Sequence, residues 1–202
     1  MSGLRGIHQL ARGHLGAYAE CAPFLKAFEG DAQPDLQGAA LAVTDASSVA
    51  EGITAFRGAS ALVDALIDGR RDLNWWSAYT DADPAGRGMA DRMAATLLCG
   101  DGGAFASPDA RAGFFFVERD VEYAAHAHRP DEIYAIIAGE GRFWNAQGGW
   151  KDSGAGDVVV TPSQSWHAMR TTNGPVFILW AWCGDGLDET PIFRDDSGEL
   201  PT

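Results

Sequence analysis

Seven short apolar or aromatic runs crowd the second half of the chain, and the residues between them are those that reverse a backbone. The runs cover residues 113–117, 121–128, 133–137, 141–145, 157–161, 166–171 and 176–183. Ala138-Gly139-Glu140-Gly141, Gln147-Gly148-Gly149 and Asn173-Gly174-Pro175 separate them. Glycine, asparagine and proline supply the positive φ, the side-chain-to-backbone bond or the fixed φ that turns require. Short strands punctuated this regularly predict an all-β barrel or sandwich. The run 93–99 fits strand or helix equally well, since periodicity does not decide it.

The first 75 residues have another texture. Leu4, Ile7, Ala11, Leu15 and Tyr18 follow a helical stripe that Pro23 should interrupt. Leu62, Val63, Leu66 and Ile67 form a second stripe, closed by Gly69. Ser48-Val49-Ala50-Glu51 has the form of a capping box. Residues 29–45, rich in Gly, Asp, Pro and Ala, read as a loop, and 81–88 as a polar connection. The expected organisation is a helical N-terminal region over 1–75 and a β domain over 76–202. The helices should pack on the barrel or on a second subunit, which leaves a homo-oligomer open. His8 and His14 read as helix-face histidines without a role in chemistry.

Chemistry concentrates in His126-Ala127-His128-Arg129-Pro130-Asp131-Glu132-Ile133-Tyr134. Side chains alternate along a strand, so His126 and His128 share one face, as do Glu132 and Tyr134 on the next strand. Arg129-Pro130-Asp131 reads as the turn that folds the two pairs together. Two imidazoles and a carboxylate are donors that zinc, iron, manganese or nickel accept. His167, the one other histidine in this half, is the candidate for a further ligand. Tyr134 can ligate the ion or stand beside it.

These spacings resemble the cupin signature. The first cupin motif, H-x-H-x(3,4)-E-x(6)-G, is met by His126, His128, Glu132 and Gly139, with Asp120 at the place of its usual leading glycine. Gly156, Pro162 and His167 match the second motif, which departs at Gln164, usually glycine, and at Thr171, usually asparagine. Both departures bear on turn geometry rather than ligation. The resemblance implies a cupin-type β-barrel, a double-stranded β-helix, around one divalent transition metal ion.

Charge and cysteine usage bound the remaining possibilities. A formal net charge of −13 argues against nucleic-acid and anionic-membrane partners, which need a basic footprint. The charge also suits solubility, including in salty surroundings. Three scattered cysteines, Cys21, Cys99 and Cys183, fit a reducing compartment better than a disulfide framework. No secretory apolar block opens the sequence, and no run approaches the roughly 18 apolar residues of a membrane span. A cytoplasmic protein is expected.

Aromatic residues surround the expected metal. Tyr123 lies three positions before His126, so a regular pleat points it away from the imidazoles. A bulge at Ala124-Ala125 would turn it back. Val176, Ile178, Trp180 and Trp182 share a face of the last long strand, either lining a pocket or packing the barrel interior. Trp166 should face away from the site, and Arg129 should be solvated beside its proline.

The run from Val121 to Tyr134, Trp76-Ser77-Ala78-Tyr79, Trp180-Ala181-Trp182 and the helical N-terminal region resemble the cupin-type dimethylsulfoniopropionate (DMSP) lyases of marine bacteria. That resemblance implies metal ligation by His128, Glu132 and His167, with Tyr134 as a further ligand. It implies for His126 a role as ligand or substrate contact, and for Tyr123 a role as general base. The expected reaction is β-elimination of a small zwitterion to dimethyl sulfide and acrylate, with Trp180 and Trp182 holding the sulfonium. A cupin dioxygenase using the same ligands and a non-catalytic small-molecule-binding cupin are the alternatives.

Overall fold

The computed structural model describes residues 3–33, 44–77, 89 and 91–193. Ala78, Tyr79, the expected connection 81–88 and most of the expected loop 29–45 lie outside them. The architecture is mainly β, a curled antiparallel barrel with helices at its N-terminal side. The helices are α1 (Leu4–Leu15), α2 (Ser47–Ala50) and α3 (Ala61–Gly69), with 3-10 turns at Ala19–Phe28, Glu51–Phe56 and Arg70–Asp72. Pro23 sits inside the first 3-10 stretch, which begins after α1 has ended at Leu15. Ser60 caps α3 by accepting the Val63 N–H. The capping box expected at Ser48 does not form: Ser48 already lies within α2, and Asp45 instead accepts the Ser47 N–H at 2.9 Å.

Among the described residues eleven strands follow the order β1-β2-β3-β4-β10-β6-β9-β5-β11, with β7 and β8 also paired to β6. They are β1 (Thr44–Asp45), β2 (Trp76–Ser77), β3 (Met93–Cys99), β4 (Ala110–Val117), β5 (Glu122–Ala127) and β6 (Asp131–Asn145). The remainder are β7 (Gly149–Gly154), β8 (Val158–Thr161), β9 (His167–Arg170), β10 (Val176–Cys183) and β11 (Ile192–Phe193). The ambiguous run 93–99 is a strand because it ladders onto β4.

The turn expected at 138–141 is not a reversal. Residues 133–137 and 141–145 belong to one bent strand, β6, with Gly139 at φ +76° at the bend. A Cβ on Gly139 would lie 2.1 Å from the Pro175 carbonyl oxygen, so only glycine permits this approach. Before the bend β6 pairs with β10 and β8; after it, with β7 and β9.

Alternation in β4 and β10 divides the core. Phe114, Phe116, Phe177 and Leu179 face the helices and pack with Ile7, Leu15, Ile53, Leu66 and Trp75. Phe115, Val117, Val176 and Ile178 face the barrel interior with Met93, Tyr123, Tyr134 and Met169. Both faces of these strands are thus buried, which is why they are apolar at every parity.

Candidate metal centre

Three strands and one turn build the site. His126 lies on β5 opposite His167 on β9, and Glu132 on β6 lies opposite Trp182 on β10. Thirteen positions separate Glu132 from Asn145, the β6 residue paired with His167. An extended strand of that span would run on the order of 40 Å at about 3.3 Å per residue. Yet His167 Nε2 stands 3.1 Å from Glu132 Oε2, because β6 bends and the sheet curls back on itself. His128 Nε2 lies 3.4 Å from the same oxygen, brought there by the turn through Pro130. Donor atoms of His126, His128 and His167 all fall within 4.8 Å of one another, and all three residues are buried.

Backbone carbonyls orient each ring. His126 Nδ1 is 2.8 Å from the Ala124 carbonyl, His128 Nδ1 3.0 Å from that of Pro130, and His167 Nδ1 2.9 Å from that of Ser165. A carbonyl only accepts, so each Nδ1 carries a proton, and it is Nε2 that would be left bare to bind an ion. His128 Nε2, His167 Nε2 and Glu132 Oε2 are buried with no hydrogen-bond partner. Acceptors gathered in a dry space repel one another and need a shared positive charge. The residues therefore fit a divalent cation.

Protonation follows from the same contacts. Burial holds the His126 imidazole well below its usual pKa. At His128 burial acts in the same sense, but the Glu132 carboxylate outweighs it and raises the value. Burial opposes ionisation of Glu132 too, yet His128 and His167 hold its carboxyl well below the usual carboxylate range.

Aromatic groups close over the cluster. Between Tyr123 and His126 the β5 register slips against β9, a bulge in the Ala124-Ala125 segment. It turns the Tyr123 ring onto that of His126, stacked with centroids 4.2 Å apart. Tyr134, directly opposite Trp180, is buried in the same interior cluster as Tyr123. Trp182 lies 4.5 Å from the His128 ring, and its indole Nε1 donates to Glu132 Oε1 at 2.5 Å. Trp180 stands 5.9 Å from Trp182. Arg129 points away and pairs with Glu189 at 2.6 Å on the surface. Trp166 packs with Ala125, Trp144 and Ala168, and His8 lies on Phe105 among the helices. An open polar cavity of about 540 Å³, lined by Glu140, Arg142, Asp152, Asp157 and Asn173 among others, shares no residue with the cluster.

Phe193 escaped the sequence reading. It sits on β11 beside β5, 5.6 Å from the His126 ring and 6.4 Å from that of Tyr123. Its only signal was the apolar pair Ile192-Phe193 after an acidic loop. Thr171, at the usual asparagine position, accepts the Val121 N–H and donates to the Glu118 carbonyl, so it ties the start of β5 to the end of β9.

Comparison with known proteins identifies the chain's relatives. Residues 40–178 fit the family model described as dimethylsulfoniopropionate lyase. The chain is 34% identical over 141 residues to the dimethylsulfoniopropionate lyase DddQ of Ruegeria pomeroyi, covering 70% of this chain and 69% of that protein. The crystal structure of DMSP lyase DddQ from R. pomeroyi DSS-3 superposes with a TM-score of 0.74 at 28% identity, covering 96% of this chain and 98% of the other. A chain from the crystal structures of the DMSP lyases RdDddP and RnDddQII superposes with a TM-score of 0.77 at 24% identity, covering 95% and 97%.

Proposed function

The chain belongs to the dimethylsulfoniopropionate lyase family and is an enzyme, a carbon–sulfur lyase; from that premise we propose that it cleaves DMSP to dimethyl sulfide and acrylate by β-elimination, with Tyr123 as general base. The observation that carries this reading is positional. The family match over 40–178 spans Tyr123, His126, His128, Glu132, Tyr134 and His167, and the bulge in β5 sets the Tyr123 ring against the imidazole cluster.

In this reading His128, Glu132 and His167 would hold one divalent ion, zinc, iron, manganese or nickel, with Tyr134 as a further ligand and His126 as a ligand or a substrate contact. Such an ion would supply Lewis-acid chemistry, the kind that acidifies a C–H next to a bound carboxylate. Tyr123 then takes the proton from the carbon next to the carboxylate. The C–H electron pair becomes the C=C bond of acrylate, and the C–S pair leaves on sulfur as neutral dimethyl sulfide. A free tyrosine titrates near pH 10, so its phenolate needs a nearby cation to form at neutral pH. The π faces of Trp180 and Trp182 suit the sulfonium end of the zwitterion. No water is consumed, and the buried interior around Tyr123 and Tyr134 serves an elimination well.

Headspace release of dimethyl sulfide under anaerobic conditions, on protein of known metal content, tests the reaction. Tyr123→Phe is expected to lose turnover by at least about 100-fold, the range of a positioned acid–base group, while keeping its metal. Unimpaired release by that variant removes Tyr123 from the mechanism. Full metal occupancy in His167→Ala would contradict the ligand assignment.

A further inference from the structure

The two oxygens of the Glu132 carboxylate have different surroundings. Oε2 faces the imidazoles of His128 and His167 at 3.4 and 3.1 Å, without a hydrogen-bond donor. Oε1 receives the Trp182 indole N–H at 2.5 Å. An indole nitrogen is a donor only, so this bond commits one lone pair of Oε1 and fixes the plane of the carboxylate. Cross-strand register makes the contact possible: Trp182 on β10 and Glu132 on β6 are directly opposed, a pairing whose side chains share one face. The Trp182 ring also lies against His128, 4.5 Å between centroids, so one side chain touches two of the residues facing the ion site.

We propose that Trp182 is a positioning residue of the metal centre, which selects Oε2 of Glu132 as the oxygen presented to the ion and holds it there. The assignment rests on the reading of Glu132 as a metal ligand. It differs from a role in gripping the sulfonium, which would use the π face and leave the N–H without a task. In Trp182→Phe an aromatic face remains and the donor is gone. The Glu132 carboxylate is then free to rotate and to present either oxygen.

Chelator competition with Zn²⁺, and the visible spectrum of the Co²⁺-loaded protein, read this directly. Loss of a partner that orients a ligand costs typically 10–100-fold in metal affinity, and that loss is expected for Trp182→Phe with an altered Co²⁺ spectrum. Trp180→Phe, 5.9 Å from Trp182, serves as the control and is expected to keep wild-type metal affinity. Should the phenylalanine variant misfold, replacing Trp182 with benzothienylalanine keeps the fused-ring shape and removes only the donor, with the same expected loss. Wild-type affinity and an unchanged spectrum in the donor-less protein would overturn the proposal while leaving the metal centre intact. A rise in KM with metal affinity unchanged would overturn it in favour of a substrate contact. Failure of the unaltered protein to hold Zn²⁺ or Co²⁺ would overturn both this assignment and the metal reading beneath it.

Discussion

Each imidazole of the cluster is bonded through Nδ1 to a carbonyl two residues away in sequence, so the ring orientations are local properties of β5, the Pro130 turn and the approach to β9. Without a cation, a proton on His128 Nε2 answers the Glu132 carboxylate, which is why the His128 pKa is raised. A raised folded value means that this contact stabilises fully below the unfolded pKa of about 6.5 and is lost as pH rises through the folded one. The depressed value of Glu132 works in the opposite sense: its contribution is present above about pH 4.3 and is lost as pH falls through the folded value. A divalent ion competes with a proton for His128 Nε2, so binding is expected to release protons, increasingly as pH is lowered. Calorimetric enthalpies that vary with the ionisation heat of the buffer would show it, and buffer-independent enthalpies would contradict it. Two other residues are held in the left-handed region, Asp120 at φ +57° and Gln164 at φ +58°. Both stand where the cupin motifs usually carry glycine, so the sequence departures at these positions are matched by backbone strain. Left-handed backbone costs a side-chain-bearing residue about 1–2 kcal/mol, against roughly 0.5–1 kcal/mol of added chain entropy for glycine. Gln164→Gly should therefore gain about 0.5–1 kcal/mol, read as a rise of a few degrees in Tm.

Among the elements, β6 does most to make the site, because one strand carries Glu132 and Tyr134 and then bends to receive β9 with His167. Gly139→Ala would place a methyl 2.1 Å from the Pro175 carbonyl oxygen and 3.1 Å from Phe56, at a positive φ. A loss of about 2–4 kcal/mol is expected from strain and overpacking together, measured by urea unfolding. A variant within 0.5 kcal/mol (roughly the noise for neutral surface changes) would show that the bend has another origin. The sequence carried unequal information about these elements. Val176–Cys183 was legible to the residue because both of its faces are apolar. β7 was not, since Lys151-Asp152-Ser153 are polar and sit on a ladder whose outer side meets solvent. Gly139 read as a turn because a glycine that bends a strand looks the same in sequence as one that ends it. His126, His128 and Glu132 were readable from period-two spacing around one proline. The Trp182–Glu132 bond was not, since it depends on the β10–β6 register, fixed only when the sheet forms.

At the scale of the whole molecule, helices and barrel share one apolar cluster, which includes the fully buried Phe177. Its ring lies 6.1–6.5 Å from those of Phe56, Trp75, Phe114 and Phe116, so it joins the helical side to two strands of the sheet. Phe177→Ala should cost about 3–5 kcal/mol and lower a single cooperative thermal transition. Separate melting of far-ultraviolet and tryptophan signals would show instead that the helices and barrel unfold apart. Among the described residues no helix is long and apolar enough to cross a membrane. Stacking of the short strand β11 beside β5 gives Phe193 a seat against His126. Trimming that ring to alanine would therefore uncover one side of the His126 imidazole, which the fold otherwise keeps dry.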